Sequence, residues 1–393
     1  MSHSLTSRSP DLLKLSEDGY NLEIRSGFLI LKDVPYLNAK RELRRGALVS
    51  PLELAGEKTR KPADHTLYFK GESQGEFPSD REGQPLAKFN KVGENENLGH
   101  GIEVDCKLSC KPKAGYDDYY HKMTTYLSYI ASPAQSLYPG ANARTGQRQL
   151  TADAGPFLYT ETASGRAGIG ALTSLLENEV IAIIGTGGTG SYILDFAAKT
   201  PAKEIRLFDG DEFLQHNAFR APGAPSLEEL EEVPTKVDYL TSIYSKMRKG
   251  IKPHTEPLHE DNLHLLDGIT FAFLSMDGGE AKKLIVEKLE ALGVSFIDVG
   301  MGLELTDGSL GGMLRATTST PEQRMHVHRY LSSAKGEENI YASNIQIAEL
   351  NAFNAALAVI KWKKLRGFYR DLENEIHCLY TTDGNHIDNK GAQ

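Results

Sequence analysis

The sequence predicts an α/β protein in which a doubly wound, mostly parallel sheet follows a smaller, β-rich α+β domain. Two observations lead to this fold class. Beyond residue 150, apolar runs of strand length alternate with amphipathic helical patterns, and a glycine-rich turn follows one of these runs. Before residue 150, alternating strand patterns dominate. Strands separated by helices usually pair in parallel, whereas strands joined by short turns pair in antiparallel fashion.

Length and composition set the broad class. At 393 residues the chain is longer than one hydrophobic core usually supports, so we expect two domains, residues 1–148 and 149–393. A hydrophobic fraction of 40% and a charged fraction of 25% are typical of soluble globular proteins. The formal net charge of -9 argues against nucleic acid or an anionic membrane as a general partner. The sequence shows no apolar signal segment and no membrane-length apolar run, so we expect a cytoplasmic protein.

Cysteine usage argues against two common structural devices. The chain has three cysteines, Cys106, Cys110 and Cys378. An odd, sparse set is unlike a disulfide framework, and Cys106 and Cys110 have no second pair to complete a tetrahedral zinc site.

The first domain reads as mainly β. Residues 20–25 and 28–32 alternate around a Ser-Gly turn and predict a hairpin. Further strands are expected at 65–70 and 102–108, with loops at 71–100. Residues 117–131 predict a helix whose aromatic stripe is more typical of core packing than of a ligand surface. A segment rich in Pro and Gly, 132–148, then predicts a linker.

The second domain begins with a short helical pattern at 167–177 and an apolar run at 180–184, followed by the glycine turn. Gly185, Gly187 and Gly190 suit a tight turn that a phosphate can approach closely, because they lack a Cβ and tolerate positive φ. A second strand at 204–208 leads to Asp209, where Rossmann-like folds place an acid for ribose hydroxyls. Alone, these features are typical of an NAD site.

The residues after Asp209 resemble a more specific signature. The run Asp209 to Arg220, which includes Asp211 and Asn217, resembles the D-x-D-x-V-x-x-x-N-x-x-R motif of the ubiquitin-activating (E1-like) superfamily of ThiF–MoeB adenylyltransferases. Gly188, Lys236 and Asp277 extend the resemblance. The first third of the chain is similar to a module that precedes E1-like domains in bacterial gene clusters encoding ubiquitin-like proteins. An NAD-dependent reaction would give Asn217, Arg220 and Asp277 no common role.

This resemblance implies an ATP site and magnesium. Catalysis would need cations where charge grows on the phosphates and a carboxylate for the metal. The implied roles are Arg220 and Lys236 as phosphate cations, Asp277 as magnesium ligand, Asp209 on the ribose, Asn217 on the phosphates, Asp211 as loop support, and Gly185, Gly187, Gly188 and Gly190 as the phosphate turn. Arg166 resembles an arginine that reaches a phosphate, usually across a homodimer interface. Each residue alone would also suit a cap or a surface position.

The chain also departs from the family pattern. Ala221 replaces a frequent glutamine, and Lys282 stands where the family has an arginine. No cysteine occurs at 318–322, the approximate place of the thioester-forming cysteine in E1 enzymes. Cys378 is the only cysteine of this domain and reads either as a buried structural thiol or as an unusual catalytic one.

Later elements follow the same alternation. We expect a capping box at Ser226 and Glu229, a helix at 280–292, a strand at 295–299, a turn at 300–302 and a strand at 311–317. A long helix is expected at 344–366, and the polar tail after residue 383 is expected to fray.

These features together predict an enzyme that uses ATP and magnesium to adenylate the C-terminal glycine of a ubiquitin-like protein. The first domain would recognise that protein, an E2-like protein or a second subunit, and a homodimer is expected. One alternative is an adenylating enzyme for a small peptide, or one for tRNA or sulfur-carrier chemistry. The other is a nucleotide-binding module without catalysis. No nucleic-acid or membrane partner is expected.

Overall fold

The computed structural model describes residues 2–92, 95–146, 155–333 and 345–391, and its contacts divide the chain into two compact units, Met1–Ser174 and Leu175–Gln393. The boundary predicted between residues 148 and 149 lies outside the described residues. In the part of the chain that is described, no helix is long and apolar enough to cross a membrane.

The first unit is built on a six-stranded antiparallel sheet with the order β1-β2-β3-β6-β10-β7. Its strands are β1 (Leu22–Arg25), β2 (Phe28–Leu37), β3 (Leu43–Pro51), β4 (Leu54–Ala55), β5 (Lys58–Thr59), β6 (Thr66–Lys70), β7 (Asn90–Val92), β8 (Glu96–Gly99), β9 (Ile102–Val104) and β10 (Cys106–Ser109). Its helices are α1 (Ser2–Arg8), α2 (Pro10–Glu17), α3 (Tyr119–Leu137), α4 (Ala163–Ala167) and α5 (Gly170–Ser174).

Helix α3 covers one face of this sheet. Asp118 caps its start by accepting a hydrogen bond from the His121 amide at 2.7 Å. Met123 and Tyr126 are fully buried in the main core of the unit, so the prediction that the aromatic stripe forms core is confirmed. The helix also runs through Pro133 into the predicted linker. Burial of Ala134 on the same face holds this last part of the helix despite the missing proline N–H.

The second unit contains an eight-stranded sheet with the order β13-β12-β11-β14-β15-β16-β17-β18. Its strands are β11 (Val180–Ile184), β12 (Glu204–Phe208), β13 (Ile251–His254), β14 (Phe271–Leu274), β15 (Ser295–Thr306), β16 (Ser309–Ser319), β17 (Glu375–Thr381) and β18 (His386–Gly391). Its helices are α6 (Gly188–Ala198), α7 (Gln215–Ala218), α8 (Leu227–Glu231), α9 (Lys236–Tyr244), α10 (Glu280–Ala291), α11 (Met325–Ser333) and α12 (Ala348–Leu365), with a 3₁₀ helix at Glu260–Leu266.

The first five strands in the sheet order, β13-β12-β11-β14-β15, pair in parallel. Strands β15 to β18 continue the sheet as an antiparallel meander. Alternate residues of β11 enter two different cores. Ile181 and Ile183 pack with residues of α6, α9 and α12, whereas Ala182 and Ile184 pack with residues of α10. Helices therefore cover both faces, which explains why the strand is apolar at every position. The predicted α/β class is confirmed.

Two local predictions are wrong. Gly300 and Gly302 do not form a turn, because β15 continues through them in register with β16. The Arg315 side chain lies against Gly300, where a Cβ would be 2.9 Å from Arg315 Nη2, so this glycine serves packing within a strand. The polar tail does not fray at 386–391 but pairs with β17 as β18. All six residues of β18 are exposed, so the strand leaves no apolar pattern in the sequence.

Candidate active site

The strand order creates a cleft at one edge of the parallel sheet. Strand β11 lies between β12 and β14, and the order of connections reverses there. Ligands of open α/β sheets bind beyond the carboxyl ends of the strands at such a reversal. Three segments start there: the glycine turn after β11, the loop at Asp209 after β12, and residues 275–279 after β14.

Packing within the protein explains two glycines of the turn. Gly185 has φ of +85°, and a Cβ on it would be 2.6 Å from the Ser275 carbonyl oxygen. A Cβ on Gly190 would overlap the Gly185 carbonyl oxygen. The turn is therefore pressed against the loop after β14, and Ser275 Oγ donates a hydrogen bond to the same Gly185 oxygen.

Gly188 and Gly187 differ in their surroundings. A Cβ on Gly188 would overlap the side-chain amide of Asn351 on α12. A Cβ on Gly187 would meet no atom of the described residues within 4 Å, and its φ of -66° is open to any residue. Gly187 is also the N-cap of α6, whose first N–H groups have no partner within the helix. Packing in the protein alone gives no reason for glycine at 187.

Asp209 joins the end of β12 to the glycine turn. Its Oδ2 accepts hydrogen bonds from the Thr186 amide at 2.7 Å and the Thr186 hydroxyl at 3.1 Å. Its Oδ1 accepts from the Asp211 amide at 3.0 Å. A carboxylate offers about four acceptor positions, so these three bonds do not exhaust it.

Lys236 lies between two carboxylates. Its Nζ forms an ion pair with Asp211 and lies 3.6 Å from Asp209 Oδ1. The Lys236 side chain is only 10% exposed, whereas that of Asp211 is 75% exposed. The backbone supports this pairing, because the Lys236 amide donates to the Asp211 carbonyl at 2.9 Å. In this arrangement Asp209 and Asp211 neutralise the Lys236 charge.

Asn217 shapes the loop that leads to Arg220. It is buried, and its Oδ1 accepts a hydrogen bond from the Leu214 amide at 2.8 Å. Its carbonyl accepts from the Arg220 amide at 3.1 Å. Asn217 thus fixes the backbone on both sides of the short helix α7.

Arg220 and Asp277 carry opposite charges at this edge. Arg220 Nε is buried and has no hydrogen-bond partner among the described residues. Burial lowers the pKa of Arg220, and the carboxylate of Asp277 opposes that shift. Asp277 itself is exposed, and within the described ranges no hydrogen bond or ion pair engages its carboxylate. A half-buried cation with an unpaired N–H, near an available carboxylate, is suited to bind an anion together with a metal ion.

The structure does not bring Cys378 into this group. Cys378 lies on β17 and pairs with Ala316 of β16, which pairs with Val299 of β15. Three strand spacings therefore separate it from β14, roughly 14 Å. Burial raises the pKa of the Cys378 thiol, which lowers the fraction of reactive thiolate.

Arg166 lies in the first unit rather than in the unit that contains the glycine turn. It is on α4, and its Nη1 forms an ion pair with Glu53 at 3.1 Å. The side chain remains 59% exposed.

Lys282, which stands at the family's arginine position, is used inside the fold. Its ammonium group pairs with Asp298, which has no exposed surface, and donates to the Met276 carbonyl at 3.1 Å. Arg315 Nη2 pairs with the other Asp298 oxygen at 2.7 Å. Lys282 thus supports the loop before Asp277 from within the protein, and Arg315 shares the carboxylate that holds Lys282.

Asn351 is a site residue that the sequence analysis missed. It is fully buried on α12, and its Oδ1 accepts a hydrogen bond from the Thr189 hydroxyl at 2.9 Å. Its Nδ2 lies 3.5 Å from the Arg220 carbonyl oxygen. Two asparagines, Asn351 and Asn354, on the buried face of an otherwise apolar helix were the available signal, because buried amides need specific partners.

The first unit contains a groove of about 380 Å³. Its charges are largely paired with each other: Glu23 is buried between Arg25 and Lys32, and these two cations lower its pKa against the opposing effect of burial. Such pairing leaves little charge for a ligand.

The chain matches one family model in part and is similar to several solved structures. Residues 10–162 match the family described as "Domain of unknown function (DUF6791)". No curated protein matches the sequence. Among solved structures, the chain is similar to PaaA (TM-score 0.45, 16% identity, covering 56% of this chain and 75% of that chain). It is also similar to E. coli MccB solved with ATP (TM-score 0.44, 16% identity, covering 59% and 68%). Similarity at this level carries no argument about activity, which must rest on the site.

Proposed function

We propose that the second unit binds ATP with magnesium in a Rossmann-like site and adenylates the C-terminal carboxylate of a ubiquitin-like protein. The observation that carries the proposal is Arg220: a half-buried guanidinium whose buried Nε has no hydrogen-bond partner among the described residues, near Asp277, at the edge where the glycine turn begins. A buried donor without a partner is costly, and an anionic ligand would satisfy it.

The phosphates would lie at the start of α6. The first N–H groups of this 11-residue helix and the positive end of its dipole favour an anion there. Gly187 supports this placement because the protein's own packing gives no reason for glycine at that position. A phosphate that approaches the backbone closely would give one.

The ribose would lie at Asp209. Its carboxylate is already oriented by Thr186 and Asp211, and one acceptor position remains for a ribose hydroxyl. Asn217 would act on the phosphates through the loop it fixes. Lys236 would reach the phosphates only by turning away from Asp211, which is the more exposed of its two partners.

Asp277 would hold the magnesium ion. In the described ranges, no three His, Cys, Asp or Glu side chains gather into a preformed metal site. Magnesium bound to nucleotides needs no such cluster, because one carboxylate together with phosphate oxygens and water completes its coordination. An exposed carboxylate near Arg220 fits this requirement.

The reaction joins a substrate carboxylate oxygen to the α-phosphorus of ATP and breaks the bond from that phosphorus to the pyrophosphate oxygen. Negative charge grows on the phosphate oxygens as pyrophosphate leaves. Arg220 would stabilise this charge from a half-buried position, where electrostatic interactions are stronger than in bulk water. The helix N–H groups would act on the same oxygens.

The acceptor of the acyl-adenylate would be a nucleophile outside this chain. Cys378 remains the candidate for a thioester, but its distance from Asp277 and the raised pKa of its thiol favour direct transfer. A small peptide is the second candidate substrate, because an adenylating enzyme for a peptide also needs no cysteine at 318–322. Recognition of a substrate or an E2-like protein would fall to the first unit. In a homodimer, Arg166 would have to leave Glu53 to reach a phosphate.

ATP–pyrophosphate exchange tests the proposal. The assay compares a ubiquitin-like protein ending in glycine, the same protein without that glycine, and a short glycine-ended peptide, with wild type and Asp277→Asn. Asp307→Asn is the matched control, because Asp307 is exposed in the turn between β15 and β16 and its φ of +53° suits asparagine. We expect exchange that requires the terminal glycine and is lost in Asp277→Asn alone.

Two outcomes would redirect the proposal. Exchange with the peptide but not with the protein would favour the peptide substrate. ATP binding without exchange for any carboxylate would favour a nucleotide-binding module and contradict adenylation. If exchange occurs, Cys378→Ala then shows whether a thiol-sensitive product depends on that cysteine.

A further inference from the structure

We propose that Asn351 is a positioning residue for nucleotide binding. Its buried side-chain amide contacts both the start of α6 and the Arg220 loop and thereby fixes their relative positions. The inference rests on the proposed function, and it assigns a role to helix α12, which neither the glycine turn nor the Asp209 to Arg220 motif includes.

The contacts of Asn351 are unusually concentrated. Its side chain lies directly on Gly188, where even a methyl group would overlap it. On one side its Oδ1 accepts from the Thr189 hydroxyl at 2.9 Å, and on the other its Nδ2 faces the Arg220 carbonyl oxygen at 3.5 Å. One amide therefore contacts the first two residues of α6, Gly188 and Thr189, and the residue proposed to bind phosphate.

Burial makes this arrangement specific. Asn351 has no exposed surface, so its amide cannot exchange its partners for water without opening the fold. A buried amide with defined partners fixes orientation more strictly than an apolar side chain does, since hydrogen bonds are directional. Displacement of either partner would alter the separation between the first N–H groups of α6 and the Arg220 guanidinium.

The same helix offers a matched control. Asn354 lies one turn further along α12, is equally buried, and donates from its Nδ2 to the Gly300 carbonyl on β15 at 3.0 Å. It contacts neither the glycine turn nor Arg220 in the described hydrogen bonds. Replacement of either asparagine by alanine removes one buried amide from the same helix, but only Asn351 lies at the proposed site.

The test measures magnesium-ATP affinity by calorimetry in the full chain for wild type, Asn351→Ala, Asn354→Ala, Thr189→Val and the double variant Thr189→Val/Asn351→Ala. Stability is measured in urea by fluorescence of Trp362, the only tryptophan, which is buried in the second unit. We expect Asn351→Ala and Thr189→Val to weaken ATP binding about tenfold or more. The double variant should bind ATP no more weakly than Asn351→Ala does, because both substitutions remove the same hydrogen bond. Asn354→Ala should bind ATP with wild-type affinity despite a similar loss of stability.

Three results separate the possible failures. Equal loss of ATP affinity in the Asn351 and Asn354 variants would overturn the inference, because both would then act through general stability. If Asn351→Ala does not fold, Thr189→Val keeps the side-chain volume, and wild-type affinity in that variant would overturn the inference as well. If wild type itself binds no nucleotide, the proposed function fails first.

Discussion

A buried N–H group without a hydrogen-bond partner has consequences for both binding and stability, and Arg220 Nε is such a group in the described part of the chain. Burial lowers its pKa, and its Nε makes no hydrogen bond within the described part of the chain. A group that the fold tolerates at a cost is a group whose removal need not destabilise the protein. A substitution that removes the Arg220 guanidinium should therefore weaken ATP binding while the free energy of unfolding stays the same or rises.

The substitution Arg220→Met tests this expectation. Methionine keeps an unbranched apolar stem and removes the charge and the unpaired N–H. We expect ATP affinity to fall by about tenfold or more, since hydrogen bonds to charged groups contribute about 1.5–3 kcal/mol. The free energy of unfolding should stay the same or rise. Calorimetry and urea unfolding check both, and a variant that loses stability but keeps its ATP affinity would show that Arg220 is structural.

His377 predicts a pH dependence of stability. Its Nδ1 lies 3.0 Å from the Thr317 hydroxyl, which already accepts a bond from Arg315 Nη1 at 3.1 Å. A hydroxyl donates one bond and accepts two, so Thr317 can donate to Nδ1 of a neutral His377 ring while it accepts from Arg315. Burial lowers the pKa of His377 to about 4, with further lowering by Arg315, Lys390 and His326 and an opposing effect of Asp388.

The direction of this pH dependence follows from the pKa of about 6.5 that histidine has in the unfolded chain. Because the folded pKa is depressed, the neutral ring contributes its full stability above pH 6.5, and this contribution is lost as the pH falls towards 4. The loss is on the order of 3 kcal/mol. His377→Gln keeps a neutral hydrogen-bonding side chain, so its unfolding free energy should fall less between pH 7 and 4.5. Equal slopes for variant and wild type, followed by Trp362 fluorescence, would contradict the assignment.

The glycine turn shows how one element can combine packing and ligand requirements. Gly185 is required by its positive φ and by the nearby Ser275 carbonyl. Gly187 has neither constraint, so only a ligand would select glycine there. Substitution by alanine can separate the two reasons.

We expect Gly185→Ala to destabilise the second unit by about 1–3 kcal/mol, because a Cβ at positive φ is strained and the Ser275 carbonyl must move. Gly187→Ala should leave the unfolding free energy unchanged or slightly raise it, since alanine reduces the entropy of the unfolded chain. Gly187→Ala should nevertheless weaken ATP binding. Urea unfolding without nucleotide and calorimetry with ATP measure the two effects. If Gly187→Ala binds ATP with wild-type affinity, the proposed position of the phosphate at this turn is wrong.

Elements with strong local patterns could be predicted from the sequence, and those set by distant contacts could not. Strands β11 and β12 were predicted with their observed bounds, because burial on both faces makes β11 apolar at every position and β12 carries apolar residues at Ile205, Leu207 and Phe208. The capping box at Ser226 and Glu229 is present in the structure because it is a local arrangement. Strand β18 buries no residue, since even Ile387 is exposed, and it is held in the sheet by its backbone pairing with β17.

The candidate site follows the same division. The glycine turn and the Asp209 to Arg220 motif are continuous in sequence, so their residue types could be recognised. Asn351 is 162 residues away from Thr189 in the chain, and nothing near it indicates that α12 passes over the glycine turn. The ion pair of Lys282 with Asp298 likewise depends on how α10 packs against β15. Such contacts require the three-dimensional structure.

The whole molecule consists of two units with separate hydrophobic cores, and the proposed site belongs to the second. A ligand stabilises the unit that binds it, by about 2.7 kcal/mol at 100 times its dissociation constant. ATP with magnesium should therefore raise the unfolding free energy reported by Trp362, which lies in the core of the second unit.

Hydrogen exchange would report both units in one experiment. We expect ATP to slow exchange in β11, α6 and the Arg220 loop, while α3 and β2 of the first unit exchange at the same rate with and without ATP. Arg220→Met should abolish the slowing at a concentration of ATP that saturates wild type. Slower exchange confined to the first unit would place the nucleotide there and contradict the proposed site. Slowing in both units would instead mean that nucleotide binding is coupled to the first unit, where we place substrate recognition.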